Sequence, residues 1–219
     1  MEIKVLQNIL GANEAIAAQN RQLLDEHKIA AINFMSSPGA GKTSLLLKTI
    51  KNLKSKVKVG VIEGDVASKL DSDKIKREGV AVIQISTGSS CSLEAHMISL
   101  ALKDLPLTDI DLLFIENVGN LICPAEFALG EHKKVVISSV PEGDDKPTKY
   151  PLMFTKTDVV VINKLDLLPY VDFNLNNFRR ALKGVNPKVK IFEVSCKTGE
   201  GLRNWYSWLL SEVKAITTR

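Results

Sequence analysis

The chain predicts a doubly wound α/β domain on a mostly parallel sheet, and three observations carry that prediction. Short runs rich in Val and Ile alternate with helix-like stretches along most of the 219 residues. The runs are continuously apolar rather than alternating, as expected of strands covered by helices on both faces. The length and a composition of 45 % hydrophobic and 25 % charged residues suit one compact domain. In folds of this class ligands collect outside the carboxyl ends of the strands.

Taken in order, residues 3–27 read as an amphipathic helix, with Leu6, Ile9, Leu10, Ile16, Leu23 and Leu24 near a helical period. Gly11 is expected to weaken, split or bend it. Residues 1–28 are therefore assigned to an N-terminal helical extension and 29–219 to the α/β domain. Strands are predicted at 30–35, 58–63, 80–85, 111–116, 134–140, 158–162 and 189–194. Helices are predicted at 43–54, 71–78, 92–103, 174–183 and 201–214. The segment "PEGDDKPTKYP" (141–151) is read as a long polar loop.

A net charge of +4 with both signs interspersed gives no indication of nucleic acid as a partner. No apolar run reaches the roughly 18 residues of a membrane span. The first residues, "MEIKVLQNIL", have an early acidic residue and no cleavable apolar block, so no secretory signal is expected. Cys91, Cys123 and Cys196 are too few and too scattered for a disulfide framework, which makes a reducing cytoplasm the expected location.

The segment "SSPGAGKTS" (36–44) links the first core strand to a helix and fits a phosphate-binding loop, with Ser36 in place of the first glycine. Gly39, Ala40, Gly41 and Ser44 supply the wrapping backbone and helix N-terminus. Lys42 can reach the β- and γ-phosphates, and the Thr43 hydroxyl is placed for Mg²⁺. Ser37 stands where a deviant ATPase branch has a second lysine, which argues against that branch.

The base is read from "NKLD" (163–166). Asp166 can accept from N1–H and the exocyclic amine of guanine, whereas adenine would leave the carboxylate poorly paired. The Lys164 stem can cover a purine face, and Asn163 can tie loops together. "SCKTGEG" resembles the S-A-K segment of GTPases, placing Ser195, Cys196 and Lys197 around the guanine, with Cys196 read as packing. The three segments together make a guanine nucleotide, GTP or GDP, the expected ligand.

Glu116-Asn-Val-Gly119 occupies the place of a D-x-x-G segment. Glu116 can hold the magnesium shell, and Gly119 lets its N–H approach the γ-phosphate. Asp65 is read either as part of the magnesium shell or as orienting the attacking water. Asn120 follows Gly119 where Ras-like enzymes place a water-orienting glutamine, so slow intrinsic turnover is expected.

"ENVGNLICP", "IEGDVAS", "STGSSCSLEAHM" and "EGDDKPTKYP", with the nucleotide segments, resemble the HypB family of hydrogenase nickel-incorporation GTPases over about residues 30–212. The resemblance implies a SIMIBI-class P-loop GTPase that forms a GTP-dependent homodimer and binds Ni²⁺ or Zn²⁺ near the interface. Its implied partners are a nickel-carrying accessory protein and a hydrogenase large-subunit precursor. Candidate transition-metal ligands are Cys91, before a predicted helix whose dipole would favour a thiolate, Cys123, and His96. The family pairs its first cysteine with a histidine; here that position is Ser92, and His96 is the candidate replacement. Two cysteines and one histidine give at most three ligands per chain, so the site is either open for transfer or shared between two chains. Buried core cysteines and a surface histidine are the plain alternative. Lys146 is either a contact to phosphate across a dimer or a solvated loop residue. The competing functional readings are a urease-accessory-type GTPase and a GTP-switched scaffold that recruits another nickel carrier.

Overall fold

The computed structural model describes residues 5–65 and 70–218, the side chains of 5–8 excepted. Helix α1 (Val5–Glu26) leads into β1 (Ala30–Ser36), α2 (Lys42–Leu53), β2 (Val59–Asp65), α3 (Leu70–Lys76), β3 (Ala81–Ser86) and α4 (Ala95–Asp104). Then follow β4 (Leu112–Glu116), α5 (Cys123–Glu126), β5 (Lys133–Ser139), α6 (Lys146–Lys149) and α7 (Pro151–Thr155). The chain ends with β6 (Val159–Asn163), α8 (Leu175–Val185), β7 (Lys190–Glu193) and α9 (Leu202–Thr217).

The seven strands form one sheet in the order β3-β2-β4-β1-β5-β6-β7. Every strand pair in it is parallel. Central β1 is buried along its whole length, while the edge strands β3 and β7 are only half covered, which is why the inner runs are the most uniformly apolar. Successive side chains of β1 point to opposite faces. Ile32 and Phe34 pack with Leu46, Ile50, Trp205 and Leu209 from α2 and α9. Ala31 packs against Leu24, Ile98 and Leu102 from α1 and α4. A third apolar group joins Met35, Val160, Phe154, Phe178 and Leu182 on the β5–β6 side. From β1 the chain passes first to β2 on one side and later to β5 on the other, so the end of β1 lies at the point where the strand order reverses.

Three expectations change. Helix α1 runs unbroken through Gly11, because packing supplies the stability its propensity lacks. Buried Ala17 and Leu24, together with Asn13, Asn20 and Arg21, bind it to the rest of the domain. The predicted start of its helix, residues 3 and 4, lies outside the described residues. The helix expected from 92 begins at Ala95, and Glu94 is its cap. The supposed loop 141–151 folds instead into a short 3₁₀ turn closed by a Ser139–Glu142 capping box, followed by α6.

Candidate functional site

The carboxyl ends of β1, β2, β4 and β6, and the loop after β7, converge on two adjoining clefts. One, of about 550 Å³, is lined by Gly41, Ser44, Lys48, Asn163, Lys164, Asp166, Cys196 and Lys197. The other, of about 500 Å³, is lined by residues 38–39 and 41–44 together with Glu63, Asp65, Asp71 and residues 116–119. Gly41 and Ser44 belong to both, so the loop after β1 is their common wall.

In the first cleft Asn163, Lys164, Ser195 and one oxygen of Asp166 are already paired within the protein. Asn163 donates to the Ala40 carbonyl at 3.0 Å and accepts from the Cys196 amide at 3.2 Å. Lys164 takes a left-handed backbone, φ 63°, and its Nζ reaches the Gly39 carbonyl at 2.6 Å, so its stem lies across the cleft. Ser195 Oγ donates to Asp166 Oδ1 at 2.5 Å, and the Thr198 amide donates back to that hydroxyl at 3.1 Å. Asp166 Oδ2 faces Lys197 Nζ at 3.9 Å. Burial pushes the Cys196 thiol up to about 11, so it is a neutral packing group. Gly41 is required here: its φ is 99°, and a Cβ would stand 2.5 Å from Asn163 Nδ2.

The second cleft is built from charge. Ser36 is buried and accepts from Lys42 Nζ at 3.0 Å, so the residue that departs from the glycine pattern anchors the lysine. Burial lowers the Lys42 pKa, and the charges of Glu116, Asp71, Glu142 and Asp65 oppose that shift. Thr43 Oγ1 lies 2.7 Å from Glu116 Oε1 and 2.9 Å from Asp71 Oδ2. Glu63 and Glu116 are register partners on β2 and β4. Burial raises Glu63 to about 8, with Glu116 adding to the shift, and raises Glu116 to about 7 against the pull of Lys42. Glu63 Oε2, Glu116 Oε2 and Ser37 Oγ are buried with no partner from the protein. Gly119 lies against the loop after β1; a Cβ there would be 3.1–3.2 Å from Pro38.

Hard oxygen donors around Thr43 fit Mg²⁺. Among the described residues no group of three or more His, Cys, Asp or Glu side chains is arranged to hold a metal.

Sequence reasoning missed Glu63 and Asp71. Glu63 had a signal, since it lies two residues before Asp65 and therefore on the same strand face. Asp71 had none, because only the docking of α3 beside α2 brings it to Thr43. Of "IEGDVAS", Val66, Ala67 and Ser68 fall outside the described residues.

Cys91 and Cys123, 32 residues apart in sequence, are joined as a disulfide with Cα atoms 6.2 Å apart. Although the sequence predicts no disulfide framework, these two scattered cysteines do pair, because the loop before α4 folds onto the segment after β4. Cys91 lies four residues before α4, so the expected helix dipole does not act on it. His96 is exposed, faces Glu94 at 3.4 Å, and is not brought into a metal group with the two sulfurs. Lys146 begins α6 and lies over the Tyr150 ring at 5.6 Å.

Fold and clefts together define a P-loop nucleotide-binding domain, and the CobW/HypB/UreG nucleotide-binding domain family matches residues 30–193. The hydrogenase maturation factor HypB of Rhizobium leguminosarum bv. viciae is 49 % identical over 94 % of this chain and 69 % of its own length. HypB from Archaeoglobus fulgidus superimposes with a TM-score of 0.87 at 43 % identity, covering 93 % of this chain and 99 % of that one. The HypB structure from Helicobacter pylori, solved in complex with nickel, gives 0.89 at 38 % identity, covering 93 % and 96 %. The chain belongs to the HypB family of P-loop GTPases.

Proposed function

We propose that this chain is a GTP-hydrolysing metallochaperone that delivers or helps insert nickel during maturation of nickel–iron hydrogenase. It would act in the cytoplasm as a GTP-dependent homodimer, with a nickel-carrying accessory protein and a hydrogenase large-subunit precursor as partners. One observation carries the reading. Cys123 lies four residues beyond Gly119, which abuts Pro38 of the phosphate loop, and its sulfur meets that of Cys91. The metal-holding form is the reduced pair, since thiolates are the ligands and suit nickel or zinc.

The remaining roles follow from position. Asp166 and the Lys164 stem select and cover guanine, while Asn163 ties the base loop to the phosphate loop. Lys42 supplies positive charge to the terminal phosphates. Thr43, Glu116 and Asp71 would hold Mg²⁺, which neutralises charge developing on the phosphoryl oxygens. Asp65, at the end of β2, holds the magnesium shell or orients water. Asn120 bonds to Cys123 Sγ at 3.4 Å and to the Ile122 amide, an arrangement that supports slow intrinsic turnover because its side chain serves its own loop.

A GTP-switched scaffold is favoured by one fact, the lack of a third His, Cys, Asp or Glu donor beside the sulfurs among the described residues. Nickel binding by reduced Cys91→Ser and Cys123→Ser proteins, with and without a GTP analogue, separates the two. Loss of nucleotide-sensitive binding in either variant is expected; unchanged affinity in both would establish the scaffold instead.

A further inference from the structure

Resting on the nucleotide-linked metal reading above, we infer that Asn117 is the positioning residue that carries the nucleotide state to the Cys91 loop. Cys123 needs no such device, being on the same short segment as Gly119. Cys91 is 25 residues earlier than Glu116 in the chain, so once its bond to Cys123 is reduced its loop needs a contact to that segment.

Asn117 is that contact. It follows Glu116, lines the phosphate cleft and is buried. Its amide donates to the Phe34 carbonyl at 2.9 Å, extending the β4–β1 pairing beside the phosphate loop. Its Oδ1 accepts two backbone amides, from Val118 at 3.0 Å and from Leu93 at 2.9 Å. Its Nδ2 points to Asn33 Oδ1 at 3.4 Å, and Asn33 donates to buried Glu131 at 3.1 Å. One side-chain oxygen thus joins the residue before Gly119 to the residue two beyond Cys91.

The far end of that loop is held still. Asn13 of α1 accepts from the Ala95 amide at 2.8 Å, and Asn20 donates to the Ala95 carbonyl at 2.8 Å. Leu93 is buried against β2 so closely that a Cβ on Gly64 would come within 2.7 Å of it. A shift of residues 117–119 therefore pulls on Leu93 against an anchored Ala95, and the slack is taken up toward Cys91. Interfaces of this packed kind move between discrete arrangements rather than deforming smoothly. A rival route exists, since the Thr87 amide donates to the Asp65 carbonyl at 2.9 Å at the start of the same loop.

The test compares the two sulfurs within one protein. The reduced full chain is treated with iodoacetamide in GDP and in β,γ-imido-GTP, and labelling of Cys91, Cys123 and Cys196 is read peptide by peptide. In the unmodified protein Cys91 and Cys123 should each label at rates differing about fivefold between nucleotides, the size one net hydrogen bond supports. Asn117→Ala should abolish the difference at Cys91 and retain it at Cys123; Asn117→Ser replaces it should the alanine variant fail to fold. Retention of both differences would overturn the inference in favour of the Asp65 route. Collapse of both would overturn it as a general structural effect. Absence of any difference in the unmodified protein would sink the parent reading, and the inference with it.

Discussion

The proposed base half and the proposed phosphate half of the nucleotide site are built on opposite principles. Around the base, Asn163, Lys164 and Ser195 are all hydrogen-bonded within the protein, and one Asp166 oxygen is held by Ser195 while the other faces Lys197. Around the phosphates, Glu63, Glu116 and Ser37 each leave a buried oxygen with no protein partner, and two carboxyls are raised well above their usual range. The proposed base half is preorganised, so the selectivity proposed for it would rest on geometry that exists before binding. The phosphate half concentrates acids beside Lys42, where a group that neutralises charge gains most from a low dielectric.

The largest expected break comes where the halves join. Gly41→Ala places a Cβ against Asn163 at a φ of 99° and should weaken GTP and GDP alike, on the order of 100-fold. Equilibrium titration with both nucleotides checks this, and wild-type affinity would show that the two loops separate freely.

Asp166→Asn sharpens the comparison from the base side alone. GTP binding should fall about 10- to 100-fold, the range for a hydrogen bond to a charged group, while xanthosine triphosphate gains, since the asparagine amide can donate to its C2 carbonyl. Competition between the two triphosphates is the measurement, and an unchanged preference would remove Asp166 from base selection.

The smallest effect probes the phosphate half through pH. Glu63 is raised in the folded chain, so the neutral carboxyl is the form folding favours. Its contribution to stability is full below the unfolded carboxylate pKa and is lost as pH rises through about 8. Nucleotide-free protein in chelator should therefore melt at lower temperature at pH 8.5 than at pH 5.5. Glu63→Gln should reduce that drop by on the order of 5 °C. An unaltered slope would mean that Glu63 does not titrate there.

Local pattern made most of this legible. The strand–loop–helix context of residues 36–44, the "NKLD" strand exit and the apolar runs each depend on neighbours within a few residues. Helix starts were less legible, since Leu93 has good helical character yet is drawn into β2 and Asn117 before α4 begins. The 141–151 segment looked unstructured because its capping box depends on Ser139, which reads in sequence as the end of a strand.

By itself the amino-acid order determined the class of fold and the strand–loop–helix phosphate motif, and it supplied the guanine reading proposed for residues 163–166, because those depend on short-range backbone geometry and on hydrogen-bond chemistry fixed by residue type. Tertiary structure alone decided that Asp71 joins the phosphate cleft, that Cys91 meets Cys123, and that Asn117 joins their two loops. The reason is physical: sheet register and helix docking set contacts between residues tens of positions apart, and no periodicity in the sequence encodes those distances.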